Sequence, residues 1–293
     1  MAVGRIIKAL SGFYYVKSGE EIYQCKGRGV FRNKKITPLV GDFVTFNINE
    51  PNEGYIMEIK ERENELIRPP IANIDQAIIV NSATKPDFSP VLLDRFLVLI
   101  EAKDIEPVIF ITKMDTVEDM NNEEIEKYRK DYEKIGYQVE LLSAKKPDGL
   151  AEIGNYFKDN VTVIAGQSGV GKSSLLNALK PSLLLKTAEI SESLGRGRHT
   201  TRHVELVQVG GGLVADTPGF SALDFSVIES EQLSDCFPEM RRVSTFCKFR
   251  GCMHDKEPKC AVKQAVNDGE ITAYRYEHYI SFLEEIRSRK PRY

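Results

Sequence analysis

The sequence predicts a multidomain protein with an N-terminal β-barrel, a central α/β domain and a C-terminal domain that is mostly helical. Short β-rich pieces separated by turn residues fill residues 1–68, and strand and helix patterns alternate over residues 69–228. Residues 229–293 combine helical periodicity with a cluster of Cys and His. A chain of 293 residues that is 42% hydrophobic and 28% charged is long enough for two or three such domains.

The first domain is expected to be a small closed barrel. Its β-rich pieces lie at residues 12–16, 21–26, 42–48 and 54–59, and no long helical period interrupts them. About five strands in this length favour an OB-fold, a barrel that commonly binds nucleic acid with its strand faces and loops.

One loop of this domain is a candidate RNA contact. Residues 26–35 read KGRGVFRNKK, which places five basic residues and Phe31 in a glycine-bearing loop. The alternative is a solvated hairpin whose aromatic residues belong to the core. The sequence leaves both interpretations open.

The central domain is expected to be built from βαβ units. Arg68, Pro69 and Pro70 predict an extended linker, because both prolines favour extended backbone. Beyond them, the pattern predicts strands at 76–81, 107–112 and 137–143 and helices at 91–102, 122–135 and 150–157. This alternation predicts a parallel sheet that continues into a further strand at 161–165.

A glycine-rich turn follows that last strand. It reads GQSGVGKS and opens into a helical pattern, which is the context that a phosphate-binding loop requires. Glycines there let backbone N–H groups converge on phosphate oxygens, Lys172 would reach the β and γ phosphates, and the Ser173 hydroxyl would bind Mg²⁺. The residues assigned to a nucleoside triphosphate are Gly166, Gln167, Ser168, Gly169, Val170, Gly171, Lys172, Ser173 and Ser174.

Two loops at the ends of other predicted strands resemble the base-reading loops of GTP-binding proteins. Thr112-Lys113-Met114-Asp115 resembles [NT]KxD, and Ser143-Ala144-Lys145 resembles SAK. The resemblance implies that Asp115 accepts two N–H groups from guanine, that Lys113 lies over the base plane, and that the Ala144 N–H meets guanine O6. Thr112 stands where Asn is commoner, so its bracing role is open.

The sequence also contains two candidate switch segments. Residues 194–202, LGRGRHTTR, form a polar, glycine-rich stretch. Its TTR resembles the switch sequences of GTPases, which implies that Thr201, with Thr200 as the alternative, binds Mg²⁺ and the γ-phosphate. Asp216-Thr217-Pro218-Gly219 resembles the DxxG switch, which implies that Asp216 holds Mg²⁺ through water and that the Gly219 N–H senses the γ-phosphate.

The candidate catalytic residues are His199, Thr201 and Lys172. Phe220 follows the DxxG-like segment where many GTPases keep a water-orienting Gln, so another group must place the attacking water. A neutral imidazole at His199 suits that role near neutral pH. A structural hydrogen bond or an RNA contact is the alternative role for His199.

The C-terminal segment contains a candidate zinc site. Cys247, Cys252, His254 and Cys260 are spaced C-x4-C-x-H-x5-C, and three thiolates with one imidazole complete a closed tetrahedral structural site. Cys25 and Cys236 stand apart and are expected in the core.

Charge and hydropathy bear on location and partners. The two ends are net basic and the middle is net acidic, which suits a polyanionic partner. The N-terminus lacks a continuous apolar stretch of signal-peptide type, so we expect a cytoplasmic protein with no membrane contact.

The order of the motifs is the most specific feature. Ordinary GTPases place the phosphate loop first and the base-reading loops last, whereas here the base-reading loops come first, so the sequence is circularly permuted. With a barrel and a Cys/His segment on either side, the chain resembles the ribosome small-subunit-dependent GTPase A family (RsgA, also called YjeQ or YloQ) over its whole length. The resemblance implies a protein that binds GTP and GDP, contacts 16S rRNA in the 30S ribosomal subunit late in its maturation, and hydrolyses GTP faster there. We expect the protein to be a monomer, although the sequence does not give the oligomeric state.

Two other classes of function stay open from the sequence alone. One is a small-molecule kinase that uses the same phosphate loop, and the other is a non-catalytic RNA-binding module stabilised by nucleotide. The sequence further suggests that the segment after Asp216 couples nucleotide state to the position of the Cys/His domain, because it runs directly into that domain.

Overall fold

A computed structural model describes residues 1–27, 29, 31, 36–117, 119–143, 149–180, 204–216, 224–226 and 228–289. The chain forms two compact units, each drawn from two stretches of sequence. Unit 1 comprises Met1–Ile78 and Lys146–Ser221, and unit 2 comprises Ile79–Lys145 and Ala222–Tyr293. The division at residues 68 and 228 that the sequence suggests stays a prediction.

Strands dominate the first part of the chain, and helices dominate the last. The strands are β1 (Ala2–Leu10), β2 (Phe13–Ser18), β3 (Glu21–Gly27), β4 (Phe43–Glu50), β5 (Glu53–Ile59), β6 (Glu65–Ile67), β7 (Pro70–Ala72), β8 (Gln76–Ser82), β9 (Glu106–Thr112), β10 (Gln138–Leu141), β11 (Val161–Ala165), β12 (Glu205–Val209) and β13 (Gly212–Asp216). The α-helices are α1 (Pro90–Glu101), α2 (Asp119–Ile135), α3 (Gly149–Phe157), α4 (Lys172–Leu179), α5 (Pro238–Ser244), α6 (Ala261–Asn267) and α7 (Ala273–Arg287). Within the described residues, 3-10 segments lie at Met114–Thr116 and Ser230–Cys236.

The first five strands of unit 1 close into a barrel, which confirms the predicted OB-fold. The pairing order is β1–β2–β3–β5–β4, and β4 pairs back with β1. The β3–β5 pair is parallel and the other pairs are antiparallel. Alternate residues point inward, and the interior is filled by fully buried side chains: Ile6, Val16, Cys25, Val44, Phe46 and Ile56.

The Arg68-Pro69 pair is the turn of a hairpin rather than part of an extended linker. Strands β6 and β7 pair antiparallel on either side of it, with Leu66 opposite Ile71. Both of those side chains are buried. Burial of this apolar pair stabilises a folded hairpin where the prolines alone suggested an open chain.

The rest of unit 1 contains the strand that precedes the phosphate loop. All five residues of β11 are buried, as expected for a strand covered on both faces. Strand β13 runs parallel to β11, and β12 pairs antiparallel with β13 and then with β1. Lys8 and Glu205 pair across the β1–β12 contact, with their charged groups 2.8 Å apart. The barrel strands and the phosphate-loop strand therefore belong to one sheet.

Unit 2 contains the second part of the α/β pattern and the C-terminal helices. Its strands are ordered β10–β9–β8, and β9 runs parallel to β10. Helix α1 packs against β9 and starts after Ser89, whose side chain caps the Leu92 N–H. The C-terminal part is helical as predicted, with Phe225, Phe237 and Phe282 fully or almost fully buried. Among the described residues, no helix has the length and apolar character needed to cross a membrane.

Candidate functional site

The phosphate loop of unit 1 adopts the strand, loop and helix arrangement that its sequence predicts. It lies between β11 and α4, and Gly166, Gly169 and Gly171 have φ angles of 135°, 83° and 99°. Side chains other than hydrogen rarely accept these angles, which explains glycine at each position. Helix α4 begins at Lys172, so the free N–H groups of its first turn lie at the loop.

Lys172 is held inside this loop. Its ammonium donates hydrogen bonds to the carbonyls of Gly166 at 2.8 Å and Gln167 at 2.7 Å. Burial lowers the pKa of Lys172, because desolvation disfavours its charged form. A cation held at the start of a helix, beside glycine N–H groups, is suited to bind phosphate oxygens.

The predicted DxxG-like segment begins at the same edge of the sheet. Strands β11 and β13 are parallel neighbours, and Asp216 is the last residue of β13. The carboxyl ends of parallel strands meet at one edge, so Asp216 starts its segment beside the phosphate loop. Unit 1 thus places Asp216 at the edge of the sheet that carries the phosphate loop, although the two are about 45 residues apart in the chain.

The predicted base-reading turn, residues 112–116, lies at the carboxyl end of β9 in unit 2. Thr112 is buried, and its hydroxyl donates to the Asn81 carbonyl at 3.0 Å. Thr112 therefore ties the end of β9 to β8. Lys113 then adopts a left-handed conformation, with φ 63° and ψ 29°, and Asp115 lies in the 3-10 turn that follows.

The second predicted base-reading loop begins beside the first. The Met114 N–H donates to the Leu142 carbonyl at 3.1 Å, and the Leu142 N–H donates to the Ile111 carbonyl at 2.7 Å. Ser143 follows directly after Leu142, so the parallel β9–β10 pair brings the start of the second predicted loop to the edge of unit 2 where the first one lies. The two predicted loops are about 30 residues apart in the chain, and helix α2 lies between them in sequence, as expected for a βαβ unit.

Several predicted site residues lie outside the described residues and stay predictions. They are Ala144, Lys145, His199, Thr200, Thr201, Gly219 and Phe220. The backbone of Asp216 is described as the end of β13.

The four predicted metal ligands converge in unit 2. The ligand atoms of Cys247, Cys252, His254 and Cys260 all lie within 4.8 Å of one another. His254 Nδ1 is 3.3 Å from the Cys260 sulfur and 3.6 Å from the Cys247 sulfur, and these two sulfurs are 3.9 Å apart. Tetrahedral zinc, with Zn–S of about 2.3 Å and Zn–N of about 2.0 Å, separates its ligand atoms by roughly 3.5–3.8 Å. The donor set and its spacing fit a zinc ion.

The protonation of the cluster also favours a cation. Burial raises the pKa of the Cys252 thiol to about 12 and raises the pKa of Cys260, while burial lowers the pKa of His254. Thiolates in this setting therefore need a positive charge beside them, which is what a zinc ion supplies.

Residues that sequence reasoning missed hold the metal-ligand loop. The Glu257 carboxylate accepts the N–H groups of Met253 and Asp255, each at 3.0 Å. The Tyr276 and Tyr279 hydroxyls donate to the carbonyls of His254 and Met253, each at 2.6 Å. In the sequence, the position of Glu257 between the ligands His254 and Cys260 could have indicated this role.

Two surfaces bear on the predicted RNA contacts. Phe31 is buried, so its ring belongs to the barrel core and is not presented to a ligand. On the barrel, Arg5 lies over the Phe43 ring and Lys26 lies over the Phe13 ring.

The loop of the first metal ligand carries the second surface. Its exposed aromatics are Phe246 and Phe249, which are 79% and 43% exposed, and Lys248 lies 5.4 Å from the centre of the Phe249 ring. Exposed phenylalanines beside cations are the combination that stacks on bases and contacts phosphates.

Family models match most of the chain. A model described as RsgA GTPase matches residues 59–226, and a model described as RsgA N-terminal domain matches residues 3–56. Among full-length relatives, the small ribosomal subunit biogenesis GTPase RsgA 2 of Oceanobacillus iheyensis is 68% identical over 293 residues and covers all of both chains. The small ribosomal subunit biogenesis GTPase RsgA of Bacillus subtilis is 62% identical over 298 residues, again covering both chains completely.

Solved structures of similar proteins support the same family assignment. YloQ, described as a circularly permuted GTPase, is 58% identical with a TM-score of 0.86, covering 100% of this chain and 97% of its own. YjeQ from Thermotoga maritima is 36% identical with a TM-score of 0.87, covering 99% of each chain. The permuted motif order predicted from the sequence is thereby confirmed.

Proposed function

Because this chain belongs to the RsgA GTPase family, we propose that it acts late in the maturation of the 30S ribosomal subunit and that this subunit stimulates its GTPase activity. The protein is a GTPase, as the family match shows. One observation carries the proposal: relatives named small ribosomal subunit biogenesis GTPases are 62–68% identical to this chain from end to end.

In this proposal the phosphate loop binds the phosphates of GTP or GDP. The backbone N–H groups of residues 166–174 donate to phosphate oxygens, and Lys172 donates from the start of α4. Ser173 and Thr201 would hold Mg²⁺ directly and Asp216 would hold it through water. A bound Mg²⁺ would neutralise charge that develops on the phosphates.

The base-reading turn gives the selectivity for guanine. The Asp115 carboxylate accepts two N–H groups from the base, Lys113 covers the base plane, and the Ala144 N–H donates to guanine O6. Adenine lacks the donor pair that Asp115 requires, so adenine nucleotides would leave this carboxylate without partners. The brace from Thr112 to Asn81 supports this assignment, because it fixes the backbone on which the turn is built.

For hydrolysis we assign His199 to orient the attacking water. Phe220 follows the DxxG-like segment and has no hydrogen-bonding group, so the chain needs another residue for this task. Lys172 and the backbone N–H groups around it stabilise the charge that leaves with the β–γ bridging oxygen.

The metal cluster has a structural role in this proposal. Cys247, Cys252, His254 and Cys260 supply all four positions of a tetrahedral zinc site, which leaves no position for substrate. A bound zinc would cross-link the loop that carries the exposed Phe246 and Phe249. The site thus serves to present a surface and not to catalyse a reaction.

The proposed partner is 16S rRNA within the 30S subunit. Two described surfaces support it: cations over aromatic rings on the barrel, and exposed phenylalanines beside Lys248 on the metal-ligand loop. We further propose that the protein acts in the cytoplasm as a monomer.

Co-sedimentation tests the partner. Zinc-loaded protein is centrifuged with purified 30S subunits in a non-hydrolysable GTP analogue or in GDP, with 50S subunits as the control particle. We expect retention with 30S subunits in the GTP analogue, and a smaller retained fraction for Phe246→Ala than for Val91→Ala, which removes another exposed apolar side chain. Equal retention on both particles would contradict the proposal.

A further inference from the structure

A short segment after β8 contacts the base-reading turn at both ends. The Thr84 and Thr116 hydroxyl oxygens are 2.5 Å apart, and the Lys113 ammonium donates to the Lys85 carbonyl. The Ser82 hydroxyl in turn donates to the Thr84 carbonyl. Asp115 lies between the two held positions of the turn.

The direction of the Thr84 hydrogen bond follows from the proton count. The Thr116 hydroxyl donates to the Lys113 carbonyl at 2.8 Å. A hydroxyl has one proton, so the Thr116 oxygen must accept from Thr84. Thr84 therefore donates to the Thr116 hydroxyl, which in turn donates to the Lys113 carbonyl. These two hydrogen bonds stabilise the turn that contains Asp115.

The turn needs such support because its backbone is strained. Lys113 has a φ of 63°, in the left-handed region that residues with a Cβ rarely adopt. Strained residues persist where surrounding contacts hold them. Here the holding contacts are the Lys85 carbonyl on the Lys113 side chain and the Thr116 hydroxyl on the Lys113 carbonyl.

We propose that Thr84 is a positioning residue for guanine recognition: its hydroxyl holds the turn in the conformation in which Asp115 meets the base. The inference rests on the proposed role of Asp115. It adds a residue that no base-reading motif contains, at a distance of about 30 residues in the chain from the motif itself.

Paired substitutions test it in the full-length, zinc-loaded protein. Thr84→Val keeps the shape and removes the hydroxyl, and Thr84→Ser keeps the hydroxyl. Dissociation constants are measured for GDP and for IDP, whose base lacks the 2-amino group that Asp115 would bind. We expect Thr84→Val to weaken GDP binding about 3–10-fold and to weaken IDP binding less, so that the preference for GDP over IDP shrinks, while Thr84→Ser recovers the preference.

Partner substitutions keep the test decisive. Thr116→Val removes the same hydrogen bond from its other side and also the bond to the Lys113 carbonyl, so the double variant should lose no more affinity than Thr116→Val alone. An unchanged preference for GDP over IDP in Thr84→Val and Thr116→Val would overturn the inference, and so would an equal loss for both nucleotides. Asp115→Ala distinguishes failure of the proposed role of Asp115 from failure of the role of Thr84. If Asp115→Ala leaves the preference for GDP over IDP intact, the assignment of Asp115 is wrong, and the role of Thr84 is wrong with it.

Discussion

Arg275 and Asp94 form an ion pair of 2.5 Å in which neither side chain is exposed to solvent. Arg275 lies on α7 and Asp94 on α1, and the Glu239 carboxylate on α5 accepts two further hydrogen bonds from Arg275 at 2.7 and 3.1 Å. Asp94 also accepts from the Tyr132 hydroxyl and from His278 Nδ1, each at 2.6 Å. These contacts join the C-terminal helices to the α/β part of unit 2.

Removing Arg275 should destabilise the protein strongly. Arg275→Met would leave Asp94 and Glu239 as buried carboxylates without their cation, which costs about 3–5 kcal/mol. The expected result is a large fall in thermal midpoint by circular dichroism. Arg129→Ala, which removes half-exposed pairs with Glu126 and Glu133, should change stability by less than about 1 kcal/mol. Similar midpoints for both variants would show that the buried cluster does not hold unit 2 together.

The ion-pair cluster around Arg275 is also relevant to how bound nucleotide could affect the metal site. The sequence suggests that nucleotide state repositions the Cys/His domain through the segment after Asp216. The structure instead groups the C-terminal helices with the base-reading turn in one compact unit. We therefore expect that a nucleotide-dependent movement of the metal cluster would carry the predicted base-reading turn with it.

Asp115→Asn should exchange guanine for xanthine selectivity. The carboxylate accepts two N–H groups from guanine, whereas an amide supplies one acceptor and one donor, which matches the carbonyl that replaces the 2-amino group in xanthine. We expect GDP affinity to fall about 100-fold and XDP affinity to rise above it, measured by competition with a fluorescent nucleotide. Retained GDP preference would contradict the assignment of Asp115.

His199→Ala should lower kcat and leave nucleotide affinity nearly intact. The side chain is proposed to act on water and not on GTP, so its loss removes an interaction that is made during hydrolysis. General-base or water-positioning groups contribute about 100–10,000-fold, which sets the expected size of the fall. The measurement is single-turnover GTP hydrolysis with and without 30S subunits, and an unchanged rate would remove His199 from the mechanism.

Cys252→Ser should abolish stoichiometric zinc. Loss of one of four ligands opens the tetrahedral site, so we expect the zinc content to fall from about one ion per chain to well below that, with a lower thermal midpoint. Cys236→Ala is the matched control, because Cys236 is a buried cysteine that is not among the clustered ligands. Equal zinc content in the two variants, measured by atomic absorption, would exclude the cluster as the binding site.

The sequence predicts the local features of this protein well, because they depend on short spacings. The phosphate loop, the Thr112–Asp115 motif and the four metal ligands each lie within about 15 residues, and the βαβ pattern places the loops at strand ends. Contacts between distant parts of the chain were not predictable. Arg275 and Asp94 are 181 residues apart, and nothing in a helical pattern indicates that one of its arginines is fully buried.

The burial of individual side chains could not be predicted from the sequence either. The position of Phe31 in a basic loop suggests an RNA contact, but its side chain is buried, whereas Phe246 lies in no recognisable motif and its side chain is exposed. The prolines at 69 and 70 suggested a linker, although burial of Leu66 and Ile71 makes the segment a hairpin. In each case tertiary burial decided the outcome, and burial depends on residues outside the local pattern.

The most direct test of the proposed function is GTP turnover measured with purified 30S subunits, with 50S subunits and alone, using zinc-loaded protein and Lys172→Ala as the inactive control. We expect slow turnover alone, a stimulation of at least about tenfold by 30S subunits and none by 50S subunits. Turnover that is the same in all three conditions would contradict a GTPase that the small ribosomal subunit stimulates.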